Sequence, residues 1–338
     1  MTEAVGTASE RLRDVPKPAG RLHATGEPRA HPGRSPRIAV LLATLNGEAF
    51  LDEQLASLAA QDVLHLDVVA SDDGSTDGTL SILRDWQARW TKGMFTIVNG
   101  PGQNFAENFR ALMCLPDDRV DYVAFSDQDD VWDSDKLSTA ILALEGEAGP
   151  ALYGGRTRLV DARLQPLGLS PLFSRPPHFR NAIVQSLAGG NTMVLNRAGF
   201  VLVSASARRT GFVSHDWWCY LIVSGAGGRV HYDPVPRIAY RQHGNNTIGD
   251  NSGLRARIHR MRLLLDGQFK RWNDANLAAL DACADMLTED THTTLERFRS
   301  IRSVSRVGGL RILRSSGIYR QLFASRLTLA IAALMRKV

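Results

Sequence analysis

Short apolar runs alternate with amphipathic stretches along the first third of the chain. The runs are of a length typical of buried strands and lie at residues 38–42, 66–70, 95–98 and 122–125. Between them, apolar side chains recur every three or four residues, which predicts helices. The first such set comprises Phe50, Leu51, Leu55 and Leu58. Strands and helices that alternate at this spacing predict an α/β fold with a parallel sheet and right-handed crossovers.

Polar side chains follow three of the four predicted strands. Thr44 and Asn46 come after the first strand, the run Ser-Asp-Asp-Gly-Ser at 71–75 after the second, and the run Ser-Asp-Gln-Asp-Asp at 126–130 after the fourth. Sheets of this kind bind their ligands at the carboxyl ends of the strands. We therefore expect a ligand site at this edge, and its residue types make it rich in carboxylates.

The phosphate-binding loops of several nucleotide-binding classes are missing from the sequence. The segment after the first strand lacks the GxGxxG pattern of dinucleotide-binding folds, and no GxxxxGK[ST] loop occurs. A sugar-nucleotide pyrophosphorylase would carry a loop rich in glycine and arginine there, and residues 44–50 contain none. The sequence therefore argues against these three classes.

Asp127 and Asp129 stand two residues apart directly after a buried strand. Two such carboxylates on a turn can converge on a hard cation, and a cation with few protein ligands keeps positions open for phosphate oxygens. It would neutralise a diphosphate leaving group. Alternatively, these aspartates form a turn and cap the next helix. The motif alone leaves both interpretations open.

Several stretches together resemble family 2 glycosyltransferases. Residues 38–46, 71–78 and 126–137 are similar to the nucleotide-sugar-binding half of that family. The stretches AGGNTM (188–193), SHDWW (214–218) and YRQHGNNT (240–247) continue the likeness in the expected order, over roughly residues 37–250. DQDDVW, HDWW and YRQHGNNT are most similar to bacterial rhamnosyltransferases of surface-polysaccharide assembly. The resemblance implies the GT-A fold, a Rossmann-like mixed sheet flanked by helices, here with a helical C-terminal extension.

The resemblance also implies a role for each matching residue. The donor nucleotide-sugar would bind at Thr44, Asn46, Asp72, Asp73 and Asp127, with Asp73 at the pyrimidine base. A divalent cation, Mg²⁺ or Mn²⁺, would bind Asp129, with Asp127 and His243 as further contacts. Asp216 would be the catalytic base, and His215 a neighbour that positions it. The acceptor or the sugar would contact Gly190, Asn191, Trp217 and Trp218, although the tryptophans fit a core equally well and the glycine a plain turn.

The implied reaction is an inverting transfer of a sugar. It needs one base on the face opposite the leaving group and no covalent nucleophile. L-rhamnose from dTDP-rhamnose is the expected donor sugar, and a hydroxyl of a growing cell-surface glycan or a lipid-linked molecule the acceptor. A UDP-hexose or UDP-N-acetylhexosamine donor is the alternative, and a non-catalytic glycan- or membrane-binding protein a more remote one. The QxxRW signature of processive synthases is absent, so we expect one or a few additions per acceptor.

The amino-acid composition limits the class of protein and the cellular compartment that the chain fits. The chain has 338 residues, 44% of them hydrophobic and 22% charged, which is typical of a globular protein. Its three cysteines are far apart without a CxxC pair, which argues against a zinc cluster and favours a reducing, cytoplasmic compartment. No apolar run reaches the roughly 20 residues of a membrane span.

Three segments are predicted along the chain. Residues 1–36 contain five prolines and little apolar periodicity, and we expect a disordered leader. Residues 37–253 would form the catalytic domain, and residues 254–338 a helical region. That region opens on an amphipathic stripe of Leu254, Ile258, Met261, Leu265, Phe269 and Trp272.

Charge is distributed unevenly. Residues 297–338 carry ten Arg or Lys and no acidic residue, whereas the rest of the chain has 30 basic and 35 acidic residues. The acidic body argues against nucleic acid as a partner. A basic and apolar tail favours peripheral attachment to an anionic membrane surface, at the inner face of the cell membrane. A helical subdomain or a homodimer interface with a solvated basic face is the alternative.

Overall fold

The computed structural model of the chain describes residues 35–115, 119–243 and 267–338. Its strands form two sheets. The strands are β1 (Arg37–Thr44), β2 (His65–Asp72), β3 (Phe95–Asn99), β4 (Tyr122–Ser126), β5 (Val131–Trp132), β6 (Ala151–Gly155), β7 (Arg158–Val160), β8 (Pro166–Leu169), β9 (Val194–Asn196), β10 (Arg229–Asp233) and β11 (Ile238–Arg241). The larger sheet has the order β10-β6-β9-β4-β1-β2-β3, and the smaller one β5-β11-β7-β8.

The four strands predicted from the apolar runs lie side by side in the larger sheet. β1 pairs in parallel with β2 and β4, and β2 pairs in parallel with β3. β9 runs antiparallel to its neighbours β4 and β6, so the sheet is mixed, as the resemblance implies. Thr44 is level with Asp72 in the register, and Leu42 with Ser126. The polar segments after β1, β2 and β4 therefore meet at one edge.

Helices cover both faces of the larger sheet. They are α1 (Leu51–Ala59), α2 (Thr79–Arg89), α3 (Phe105–Met113), α4 (Lys136–Leu144), α5 (Phe179–Ala182), α6 (Arg197–Ala207), α7 (His215–Gly225), α8 (Gln268–Ala282), α9 (Glu289–Ser303), α10 (Arg306–Ser315) and α11 (Phe323–Leu334). β1 shows why both faces are covered: successive side chains of a strand point to opposite faces. Ile38 and Val40 belong to the core with α1, α2 and α4, whereas Ala39 and Leu41 belong to the core with α3, α6 and α7.

The C-terminal helices complete the second core. Ile301 of α9, Leu313 of α10 and Leu329 of α11 are buried in the cluster that contains α7. Much of the apolar material in the basic tail therefore stabilises the fold, and only the side chains left exposed are available to a membrane. Within the described ranges, no helix combines the length and apolar character of a membrane span.

Some predictions fall on residues outside the described ranges. They concern the leader up to residue 34, the boundary at residues 253 and 254, the first part of the amphipathic stripe and the end of the YRQHGNNT stretch. Phe269 and Trp272, the last two members of the stripe, lie on α8, where Phe269 is buried in the core and Trp272 packs against it.

Candidate active site

A cavity of about 1480 Å³ opens at the edge where β1, β2 and β4 end. Its lining includes polar residues from both halves of the chain. Of the residues predicted for the site, it contains Thr44, Asn46, Asp73, Asp127, Asp129, Gly190, Asn191, Asp216 and His243. The structure thus brings together nine of the twelve predicted residues. Asp72, Trp217 and Trp218 are not among those that line it.

Asp72 and Asp73 are adjacent in sequence but differ in their surroundings. The buried Asp72 carboxylate accepts hydrogen bonds from Thr44 Oγ1 at 3.0 Å and from the backbone N and Oγ of Ser75 at 2.9 and 2.6 Å. Through these bonds Asp72 holds the turn after β2 and orients Thr44. Asp73 lines the cavity, and its Oδ1 accepts from the backbone N of Gly102 at 2.6 Å.

Asn46 fixes the loop after β1 to the loop after β2. Its backbone is in the left-handed region (φ +49°), which asparagine tolerates better than most residues. Its Oδ1 accepts from the backbone N of Thr76 at 2.9 Å, and its own N donates to Ser75 Oγ at 2.8 Å. The two polar loops therefore form one rigid wall of the cavity.

The acidic turn after β4 presents two carboxylates to the cavity. Asp129 Oδ2 lies 2.7 Å from His243 Nε2, and the His243 ring packs against Phe50 with centroids 5.0 Å apart. Burial, together with the charges of Asp129 and Asp216, raises the pKa of Asp127 to about 7. Negative charge is therefore concentrated at this side of the cavity.

A buried network beneath the turn sets its shape. Asp130 is fully buried and accepts from Asn191 Nδ2 and from the backbone N of Arg241. The Arg241 side chain, also buried, donates to the backbone O of Asp129 at 2.8 Å and pairs with Glu53. Burial and the neighbouring aspartates raise the pKa of Asp130 well above its ordinary range. Sequence analysis assigned no role to Arg241 or Asp130, because nothing local to either residue marks this contact.

Asp216 enters the cavity from the other half of the chain. It lies in the first turn of α7, and its Oδ2 accepts a hydrogen bond from Ser186 Oγ at 3.0 Å. Sequence analysis did not find Ser186, which is a single serine in a loop. Its bond orients one carboxylate oxygen of Asp216.

His215 is a buried, neutral imidazole in the cavity wall. Its side chain stacks on Phe109 with centroids 3.7 Å apart, and burial lowers its pKa to about 4 although Asp216 opposes the shift. Neither ring nitrogen has a hydrogen-bond partner in the part of the chain that the structure describes. A Cβ at Gly190 would lie 1.7 Å from His215 Nε2, so this glycine is required by the close approach of the ring. Gly190 is thus explained by packing as well as by its place in the cavity.

Trp217 and Trp218 do not offer a face to a sugar. Trp218 is 0% exposed, its Nε1 donates to Ser206 Oγ at 2.9 Å, and its ring stacks on Phe212. Trp217 is also buried and donates to the backbone O of Ala182 at 2.7 Å. Of the two interpretations given for these tryptophans, the structure fits the core and not the sugar contact, because α7 is surrounded by apolar packing.

The depressed pKa of His215 predicts a pH-dependent stability difference. The unfolded imidazole binds a proton below about pH 6.5, and the folded one only near pH 4, so folding loses free energy as the pH falls. His215→Leu removes this loss. When the pH is lowered from 7 to 5, the free energy of unfolding of the wild type should fall by about 2 kcal/mol more than that of the variant. Urea unfolding in EDTA at both values measures it.

Any packing cost of the leucine is independent of pH and cancels in this comparison. His65→Leu, at the exposed start of β2, is the control for the loss of an imidazole. A difference between wild type and His215→Leu that stays constant with pH would show that the buried imidazole is charged or paired.

Comparison with known proteins gives matches over most of the chain. Residues 39–197 match the family model described as Glycosyl transferase family 2. A dTDP-rhamnosyl transferase, RfbG of Shigella flexneri, is 28% identical over 248 residues, which cover 68% of this chain and 81% of that protein. The crystal structure of S. aureus TarS 1–349 superposes with a TM-score of 0.52 at 16% identity, over 89% of this chain and 81% of that one.

The same TarS fragment crystallised with UDP gives a TM-score of 0.53 at 17% identity and similar coverage. Likeness at this level of identity concerns the fold alone. It confirms the expected GT-A class, with a larger mixed sheet flanked by helices and a helical C-terminal region.

Proposed function

We propose that the chain transfers a sugar from a nucleotide-diphosphate donor to a hydroxyl of a growing glycan, with inversion at the anomeric carbon. The premise is the match of residues 39–197 to the family model described as Glycosyl transferase family 2. One observation carries the proposal. A single cavity joins Asp127 and Asp129 of the acidic turn with Asp216 of a separate helix. A leaving-group site and a base would thus lie in the same cavity, contributed by different parts of the chain.

L-rhamnose, from dTDP-rhamnose, is the donor sugar that we propose. The support is the similarity to RfbG, which is described as a dTDP-rhamnosyl transferase; the matched region covers 81% of the RfbG chain. Asp73 would contact the pyrimidine base, and Thr44 and Asn46 the nucleoside. A UDP-hexose or UDP-N-acetylhexosamine is the alternative donor, because these residues concern the nucleoside and not the sugar.

The residues of the acidic turn fit a divalent cation. Asp127 and Asp129 would supply carboxylate ligands at one side of the cavity, with the His243 imidazole beside Asp129 as a further contact. Burial and charge repulsion hold the pKa of Asp127 at about 7. A cation would relieve that repulsion. No cluster of three or more acidic, His or Cys side chains in the described ranges could hold it unaided, so donor oxygens and water would complete its ligands. When bound, Mg²⁺ or Mn²⁺ would neutralise charge on the diphosphate.

Asp216 would act as the base of the transfer. The acceptor hydroxyl attacks the anomeric carbon from the face opposite the diphosphate, Asp216 Oδ1 takes its proton, and the bond between carbon and diphosphate oxygen breaks. Ser186 holds Oδ2, which keeps the carboxylate in one orientation. The products are the glycosylated acceptor and a nucleoside diphosphate.

A thermal-shift screen tests the donor. A ligand that binds only the folded chain stabilises it by mass action, about 2.7 kcal/mol at one hundred times its Kd. For a chain of this size we expect dTDP-rhamnose with Mn²⁺ to raise the Tm by about 5 °C, and dTDP-rhamnose in EDTA by much less. UDP-glucose, UDP-galactose, UDP-N-acetylglucosamine and GDP-mannose are the comparison ligands.

The outcome of this screen separates the candidates. A shift with one UDP-sugar alone would replace dTDP-rhamnose by that donor. The absence of a shift with any donor, with and without metal, would contradict the proposed activity.

A further inference from the structure

Helix α11 is apolar on both of its faces. Leu329, Ala332 and Ala333 are buried against the core, whereas Phe323 and Leu327, one turn apart, are 82% and 60% exposed. Large apolar side chains that stay exposed together on a helix are typical of an interaction surface. The outer face of α11 is covered by no part of the described chain.

A second exposed apolar segment lies next to this helix. It contains β8 and the loop that follows, where Leu167, Leu169 and Leu172 are exposed. The backbone of Arg175, just beyond it, exchanges two hydrogen bonds with the Gln321 side chain at 3.1 and 3.0 Å. The Arg175 guanidinium also lies over the Tyr319 ring, 3.7 Å from its centroid. The loop and the start of α11 are therefore tied together.

Both segments border the cavity that holds the proposed active site. Leu169 and Pro171 line it from one side, and Leu322 and Ser325 from the other. Exposed leucine and phenylalanine side chains thus lie on two segments that border this cavity. We call them the mouth rim: Leu167, Leu169, Leu172, Leu322, Phe323 and Leu327. A group of exposed apolar side chains beside a binding site is typical of an interaction surface.

The two segments that carry the mouth rim are basic, although Arg180, Arg299 and Arg302 pair with aspartates from other segments. Residues 162–180 carry three arginines and no acidic residue, and residues 297–338 carry ten basic residues and no acidic one. Arg326 is exposed between Phe323 and Leu327 on the same helix. Apolar side chains set among arginines are typical of segments that lie on anionic bilayers.

A second copy of the chain fits this surface less well. Symmetric dimers place the same patch of each subunit opposite itself. Here that would bring the basic segments of two copies together, among them the exposed Arg326 of each, and like charges across an interface are unfavourable. Anionic lipid headgroups would neutralise them, and the hydrocarbon would cover the rim.

We propose that the mouth rim docks on an anionic lipid bilayer, so that the active-site cavity opens towards the membrane surface. Phe323 and Leu327 enter the bilayer interface, and the surrounding arginines bind headgroup phosphates. Docking itself follows from this surface, whereas its consequence rests on the proposed function: the acceptor hydroxyl belongs to a molecule carried at the membrane.

Flotation of the full chain with vesicles tests the docking. We expect it to float with phosphatidylcholine vesicles that contain 30% phosphatidylglycerol, to float little with phosphatidylcholine alone, and to be released by high salt. Phe323→Ser combined with Leu327→Ser should lower the binding to vesicles at least about tenfold, because each serine removes apolar surface that the bilayer would otherwise bury. Leu142→Ser, on α4 and 70% exposed, is the matched control and should float like the wild type.

Two results would overturn the docking proposal. One is equal flotation of the double variant and the wild type. The other is a wild-type chain that stays unbound with anionic vesicles, and light scattering would then show whether the rim joins two copies instead.

Donor binding in solution separates this proposal from the proposed function, because Phe323 and Leu327 do not line the cavity. The double variant should keep the wild-type thermal shift with dTDP-rhamnose. A wild-type chain that binds a donor but no vesicle contradicts docking alone. One that floats but binds no donor supports docking and contradicts the proposed function.

Discussion

Asp216→Asn should abolish sugar transfer while leaving donor binding intact. An amide cannot take the proton of the acceptor hydroxyl, and the loss of a positioned general base typically slows a reaction by about 10² to 10⁴-fold. The amide oxygen can still accept the hydrogen bond from Ser186 Oγ, which lies 3.0 Å from Asp216 Oδ2. The geometry of α7 is therefore retained, and the effect should appear in kcat.

Two measurements on the same preparation check this prediction. Release of the nucleoside diphosphate in the presence of acceptor gives the transfer rate, and the thermal shift with donor and Mn²⁺ gives binding. Asp85→Asn, on the exposed side of α2, is the matched control and should keep both. Transfer by Asp216→Asn at the wild-type rate would show that another group is the base. A wild type that binds donor without any transfer would favour the non-catalytic alternative.

The sequence predicts those parts of the fold that depend on local pattern. The apolar runs of β1 to β4 identify a parallel sheet because a strand buried on both faces is apolar at every position. Because the apolar run of β4 ends just before Ser126, the sequence also places the acidic turn of Asp127 and Asp129 at the carboxyl end of that strand. The prediction that these side chains share a cavity with Asp216 came from the resemblance to a family, since the residues are about 90 positions apart.

Other features depend on contacts that no local pattern encodes. Asp72 and Asp73 are adjacent residues of the same type, and the fold directs one to a buried turn and the other to the cavity. Trp217 and Trp218 lie on a helix that is apolar all round, so its periodicity cannot tell which face meets the core. Arg241 reaches the backbone of Asp129 across 112 positions. Such a pair is visible only in three dimensions.

The basic tail illustrates the same limit. Its composition favours a membrane surface or a subdomain, and the structure places some of its apolar side chains in the core and leaves others exposed. Leu313 and Leu329 are in the core, whereas Phe323 and Leu327 are exposed. Spacing alone could not divide them, because α11 has apolar side chains on every side.

Asp129→Ala should remove the metal dependence of donor binding. Asp129 lines the cavity beside Asp127, and its Oδ2 lies 2.7 Å from His243 Nε2, so the variant loses a carboxylate ligand and the contact that holds the imidazole. Substitution of groups that merely orient metal ligands costs about 10 to 100-fold in affinity, and we expect a larger loss for a ligand itself. Titration of Mn²⁺ in the presence of dTDP-rhamnose, followed by the Tm, measures it, with Asp85→Ala as the control.

The pH dependence of the same titration gives an independent test of the acidic turn. Without metal, the pKa of Asp127 is about 7, so lowering the pH from 8 to 6 places a proton on a carboxylate that the cation needs ionised. Metal-dependent binding by the wild type should therefore weaken over this range. In Asp129→Ala, one of the charges that raises the pKa of Asp127 is gone, and any residual metal binding should weaken only at lower pH. If Asp129→Ala kept the wild-type metal dependence and the wild-type pH profile, the acidic turn would not be part of the metal site, because neither the number of ligands nor the charge balance would then depend on Asp129.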